Sequence, residues 1–127
     1  SQCLIGSIEA KKEKDNWLVY FDNGREPTNY DVMEWAKNLE DAGVGELLVT
    51  SIDQEGTSRG FDIELIKGVH SHTNCPIIAS GGYGERKHIK DLLKIVKPSA
   101  IAIASALHYN KKDVKTIKEE TNINYME

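Results

Sequence analysis

The chain is 127 residues long and carries 16 Lys+Arg against 20 Asp+Glu, a formal net charge of −4. At 39% hydrophobic and 28% charged residues it reads as one soluble globular domain, neither disordered nor embedded in a bilayer. No apolar run approaches the ~20 residues that a membrane span needs, and mild acidity without a basic block argues against nucleic acid as the partner.

The first apolar run, Cys3-Leu4-Ile5-Gly6-Ser7-Ile8, ends at Glu9. Ser1-Gln2-Cys3 shows no basic segment leading into an apolar stretch, so no secretory leader is expected. Trp17-Leu18-Val19-Tyr20-Phe21 is strand-like and runs into Asp22-Asn23-Gly24. Asn-Gly predicts a two-residue type I′ turn, hence a hairpin inserted between the first strand and the first helix. Val32, Trp35, Ala36 and Leu39 then fall at helical spacing, with Asp31 near the start and Gly43 after the end. Glu46 to Ile52 is the second buried run, ending at Asp53, and Ile63, Ile66 and Val69 follow as a helical stripe with Asp62 as N-cap. Pro76 to Ser80 is the third run, closed by Gly81-Gly82. Ile89, Leu92, Leu93 and Val96 repeat the helical spacing until Pro98, and Ala100 to Ser105 is the fourth run. The tail from Asp113 to Glu120 offers only Val114 and Ile117 in a Lys/Glu-rich setting.

Continuous apolar runs of this length suit parallel strands buried on both faces. The order is β, hairpin, α, β, α, β, α, β, α, an α/β pattern filling residues 1–127 as a single domain. Four βα units are about half of the roughly 250 residues of a closed (βα)₈ barrel. A four-stranded sheet would leave two open edges, to be closed by another chain or by another element of this one. The fold expected is a (βα)₄ half of a TIM barrel. A flavodoxin-like receiver or binding domain is the alternative, and the hairpin and the strand count fit it poorly.

In parallel α/β folds ligands bind where the strand C-termini and following loops converge. Those ends hold Glu9, the segment Asp53-Gln54-Glu55-Gly56-Thr57, the loop Gly81-Gly82-Tyr83-Gly84, and Ala104-Ser105. Gly81 and Gly82 allow backbone N–H groups close to an anion, and the Ser105 hydroxyl adds a donor, so a phosphate is the expected ligand. The plainer reading is tight turns needed for reversal. Glu9, near Lys11 and Lys12, is a candidate general acid or base; a solvated loop carboxylate is the competing reading. His70, His72 and His88 read as facing solvent, with His108 alone near the strand ends. Cys3 and Cys75 read as buried free thiols of a reducing compartment, the cytoplasm. No spacing suggests a metal site, and no cofactor is implied.

Gly45-Glu46-Leu47-Leu48-Val49-Thr50-Ser51-Ile52-Asp53, then Glu55-Gly56-Thr57 and Gly60-Phe61-Asp62, resembles the sixth-strand region of the cyclase subunit of imidazole glycerol phosphate synthase. Pro76 to Gly82 resembles its seventh strand, Ala102 to His108 its eighth, and Gly6 to Lys11 with the hairpin its fifth. The resemblance covers the C-terminal half of a barrel built from two similar halves. It implies ammonia-dependent cyclisation with carbon–nitrogen cleavage in histidine biosynthesis, and a glutaminase partner. By position it makes Glu9 catalytic and lets Gly56, Thr57, Gly81, Gly82, Ala104 and Ser105 hold one phosphate. It also sets Thr50 and Asp53 lining the site and Glu46 at an ammonia gate. Glu9 and Glu55 stand where the family carries Asp. With one phosphate site and one catalytic carboxylate, the half is expected to self-associate as a homo-oligomer and not to cyclise alone. The alternatives are a non-catalytic phosphate-binding half-barrel, or part of a cyclase-like enzyme that aminates surface-polysaccharide sugars.

Overall fold

The computed structural model describes residues 4–96 and the strand at 101–103. Its elements are β1 (Ile5–Glu13), β2 (Asn16–Phe21), β3 (Glu26–Asp31), α1 (Val32–Asp41), β4 (Glu46–Ser51), α2 (Ile63–His72), β5 (Ile77–Ser80), α3 (Arg86–Leu93) and β6 (Ile101–Ile103). They form a mixed α/β fold around one sheet of order β3-β2-β1-β4-β5-β6. β1, β4, β5 and β6 run parallel, and β1-β2-β3 is an antiparallel meander. A parallel-rich sheet of this kind is consistent with part of a TIM barrel. Pro98 and the tail stripe lie outside the described residues, as does Cys3.

β1 does not end at Glu9. It continues through Lys11, Lys12 and Glu13, whose aliphatic stems lie on the next strand, the Lys11 ammonium over the Tyr20 ring and that of Lys12 over Trp17. The strand therefore serves two neighbours in succession. Ile5 to Ala10 pair in parallel with Glu46 to Ser51, whereas the recorded ladder with β2 covers Glu9 to Glu13 only. The meander thus covers the outer edge of β1 over its second half.

The two-residue reversal falls at Lys14-Asp15, between the paired Glu13 and Asn16. Pairing of Phe21 with Glu26 makes the Asn-Gly reversal a four-residue loop instead of a type I′ turn. Asp22, Asn23 and Gly24 all have left-handed φ, 53°, 57° and 83°, and the Arg25 N–H closes the loop on the Phe21 carbonyl at 3.1 Å.

The helix boundaries have the chemistry expected of them. Asp31 accepts the Glu34 N–H at 3.1 Å to start α1, and Gly43 follows its end at φ 103°. Asp62 accepts the Leu65 N–H at 3.1 Å to start α2, and its other oxygen takes the Trp17 indole N–H at 3.0 Å, tying the meander to that helix.

Alternate residues of the strands meet different surroundings. Ile8, Ala10, Leu47, Val49, Ile77 and Ala79 are fully buried, in one cluster with Val32 and Ala36 of α1, Leu65 and Val69 of α2, and Ile89 and Leu92 of α3. Their neighbours Ser7, Glu9, Leu48, Thr50, Ile78 and Ser80 point the other way and are exposed or half-buried. The apolar runs predict cover on both faces; among the described residues helices cover one.

Candidate functional site

The uncovered face carries a concavity of about 400 Å³ over the C-terminal ends of the central strands. Strand register builds its floor. Glu9 pairs with Thr50, and Thr50 with Ser80, so one row of side chains crosses β1, β4 and β5. Ser7 pairs with Leu48 one layer down. All five residues line the hollow, with Ile52 and Glu55 from the loop after β4 and Asn23 from the β2–β3 loop. Asn23 arrives there because Gly24 packs against Ile52: a Cβ on Gly24 would lie 3.3 Å from the Ile52 Cδ1.

Among the described residues the hollow is thus lined by two carboxylates, three hydroxyls, one amide and an apolar patch, with no Lys, Arg or His on its wall. Such a lining accepts hydrogen bonds readily and suits proton transfer to or from a donor-rich ligand.

The loops that follow Thr50 of β4 and Ser80 of β5 interlock. The Gly60 N–H donates to the Gly82 carbonyl at 2.7 Å, and the Gln54 side-chain amide donates to the Gly60 carbonyl at 2.9 Å. Gly81 and Gly82 have φ of 94° and 107° and are buried by this approach. A Cβ on Gly82 would stand 1.9 Å from the Gly60 oxygen, and one on Gly81 2.7 Å from the Ser51 oxygen and 3.2 Å from a Glu55 carboxylate oxygen. These glycines are therefore required by the packing of loop on loop, whatever ligand they meet. Gly56, exposed at φ 77°, sits on the first of the loops.

Other expected residues take different places. Thr57 donates its hydroxyl to the Gln54 carbonyl at 2.9 Å and accepts the Arg59 N–H at 3.2 Å, so its oxygen serves its own turn. Asp53 accepts the Lys12 N–H at 2.9 Å and fastens the extension of β1 to the loop after β4. Glu46 shares the uncovered face with Thr50 but lies four residues back, roughly 13 Å along β4. Ala104, Ser105 and His108 lie outside the described residues. Among the described residues no cluster of three His, Cys, Asp or Glu is arranged to hold a metal ion, and no helix is long and apolar enough to cross a membrane.

Beside Glu9, across the β1–β2 ladder, stands Tyr20. Its hydroxyl donates to the Glu13 carboxylate, and that bond, with burial and the charges of Glu13 and Asp53 adding in the same sense, holds the phenol above its ordinary range.

Ser7, Ser80, Asn23, Gln54 and His88 are features that sequence reasoning missed. Period-two parity counted from Glu9 and Thr50 finds the two serines; Asn23 and Gln54 depend on loop packing. His88, read as facing solvent, instead accepts hydrogen bonds at the start of α3.

A family model described as "Histidine biosynthesis protein" matches residues 1–113. A protein of Hydrogenobaculum sp. named "Imidazole glycerol phosphate synthase subunit HisF" is 42% identical over 127 residues, covering 97% of this chain and 50% of its own length. One of the same name from Prochlorococcus marinus is 43% identical over 122 residues, covering 94% of this chain and 48% of its own length. The chain spans about half the length of the curated relatives it matches.

Proposed function

The chain belongs to the histidine biosynthesis protein family, and from that premise we propose that it is a single half-barrel domain of the cyclase type. In this reading its uncovered sheet face is one wall of a shared active site. The observation that carries it is the row Glu9-Thr50-Ser80, which lies on a face that no helix covers among the described residues and ends at two glycine loops. Glu9 is the acid–base group. Gly56, Gly81 and Gly82 hold one phosphate of a phosphorylated substrate through backbone N–H groups, with Ser105 adding its hydroxyl. Glu46, at the far end of the same face, sits where ammonia from a glutaminase partner would arrive.

A substrate bearing two phosphates needs a second cradle and a second acid–base group, and a complementary half supplies both. Two supports for pairing, among the described residues, are the uncovered face and the outer edge of β1 at Ile5–Ile8, whose ladder runs to β4. A second copy of this chain, joined about a two-fold axis, closes both. The presence of Glu at positions 9 and 55, both in one hollow, favours a second reading: a cyclase-like enzyme delivering ammonia to a sugar.

Titration of inorganic phosphate into the isotope-labelled chain tests the cradle. The expected result is amide shifts concentrated at Gly56, Gly81 and Gly82; their absence removes the phosphate site. Adding an N-terminal cyclase half as a separate chain should restore cyclisation, and Glu9→Gln should abolish it. Turnover untouched by that substitution would take Glu9 out of the mechanism.

A further inference from the structure

We propose that His88 is a positioning residue for the anion cradle, clamping the glycine loop after β5 to the loop after β4; this rests on the phosphate reading above. The His88 Nδ1 accepts two backbone N–H groups, from Gly84 at 3.0 Å and from Glu85 at 3.2 Å. A ring nitrogen that accepts must carry its lone pair, so the imidazole proton is on Nε2. The His88 N–H answers by donating to the Glu85 carbonyl at 3.0 Å. The first turn of α3 is thereby closed on its own side chain.

The same ring lies against the other loop. A Cβ on Gly60, which has φ 118°, would stand 3.3 Å from the His88 Cδ2 and 3.6 Å from its Nε2, so the bare glycine lets the backbone rest on the imidazole. Gly60 is also the residue whose N–H donates to Gly82 and whose carbonyl receives Gln54. One side chain therefore lies beside the hub of the first loop and fixes the end of the second. It has a chemical consequence as well. The Gly84 and Glu85 N–H groups at the start of α3 are taken by His88, which leaves an anion to the donors further upstream, on Gly81 and Gly82. His88 both sets the spacing of the two loops and selects which backbone donors meet the ligand.

Bond counting supplies the control. The Asn Oδ1 is as many bonds from the backbone as Nδ1 of histidine, whereas the Gln acceptor is one bond further out. The experiment is phosphate titration of the full chain, followed at the Gly56, Gly81 and Gly82 amides, for wild type, His88→Asn, His88→Ala and His88→Gln. His88→Asn should bind phosphate within about twofold of wild type. His88→Ala and His88→Gln should bind about tenfold more weakly, as loss of two backbone hydrogen bonds implies. Alanine binding as well as wild type, or asparagine failing as alanine does, overturns the proposal. Hydrogen exchange at the Gly84 and Glu85 amides separates this inference from the reading beneath it. A wild type with no phosphate response overturns the cradle, while faster exchange at those two amides in His88→Ala still supports the clamp. Unchanged exchange there overturns the clamp itself.

Discussion

On β4, Leu47 and Val49 are fully buried, while Leu48 and Thr50, each one residue along, are half-buried over an open hollow. The same holds on β1, with Ile8 and Ala10 against Ser7 and Glu9, and on β5, with Ile77 and Ala79 against Ile78 and Ser80. One set packs under three helices and carries the stability of the domain. The other set, on the same backbone, carries the Glu9 carboxylate and the hydroxyls of Ser7, Thr50 and Ser80 that line the hollow. Parity along a strand separates the two faces, so a change at one position is felt strongly in folding and at the next much less.

The largest effect that sharpens this contrast is a pair of truncations on β4. Leu47→Ala leaves a cavity among fully buried neighbours and should cost about 3 kcal/mol. Leu48→Ala, on the hollow, should cost about 1 kcal/mol. Denaturant unfolding of the two variants measures both, and equal losses would break the division between faces.

A pair of glycines gives the next contrast. Gly82→Ala forces a left-handed φ on alanine and drives its Cβ into the Gly60 carbonyl, and a loss of about 2 kcal/mol or more is expected. At Gly43 the φ is similar but nothing lies within 4 Å, so alanine there should cost about 1 kcal/mol. The excess at Gly82 measures how tightly the two loops are locked.

The smallest effect concerns Tyr20. Its phenol holds its proton more tightly in the folded chain than an ordinary tyrosine does, because the hydroxyl donates to the Glu13 carboxylate. The folded state therefore binds more protons than the unfolded one above about pH 10, and stability falls as pH rises through the folded value. Below about pH 10 this contribution is fully present. Tyr20→Phe should flatten the alkaline limb of stability against pH, and an unchanged limb would remove the Tyr20–Glu13 bond from the account.

β4, β5, α1, α2 and α3 were legible because apolar runs and helical stripes report burial directly, and Asp31 and Asp62 cap α1 and α2 as their positions imply. The reach of β1 was hidden because Lys11, Lys12 and Glu13 are polar and join the sheet through their aliphatic stems and an antiparallel partner. β3, reading Glu-Pro-Thr-Asn-Tyr-Asp, has no apolar alternation and is defined by its pairing with β2; as an edge strand it tolerates Pro27. At the site, Glu9 and Thr50 were legible from motif and strand position. The interlocking of Gly60 with Gly82, the turn of Thr57 toward its own loop and the ring of His88 on Gly60 were not, because contacts between loops from different strands leave no periodic trace in the sequence.

The central claim is that the uncovered face belongs against a second half, and the molar mass of the purified chain in solution tests it most directly. Light scattering should return about twice 14.2 kDa, or a higher multiple. A stable, soluble monomer at 14.2 kDa would contradict the account, because the face and the part of the β1 edge that the described residues leave open would then lack the second half that the account assigns to them.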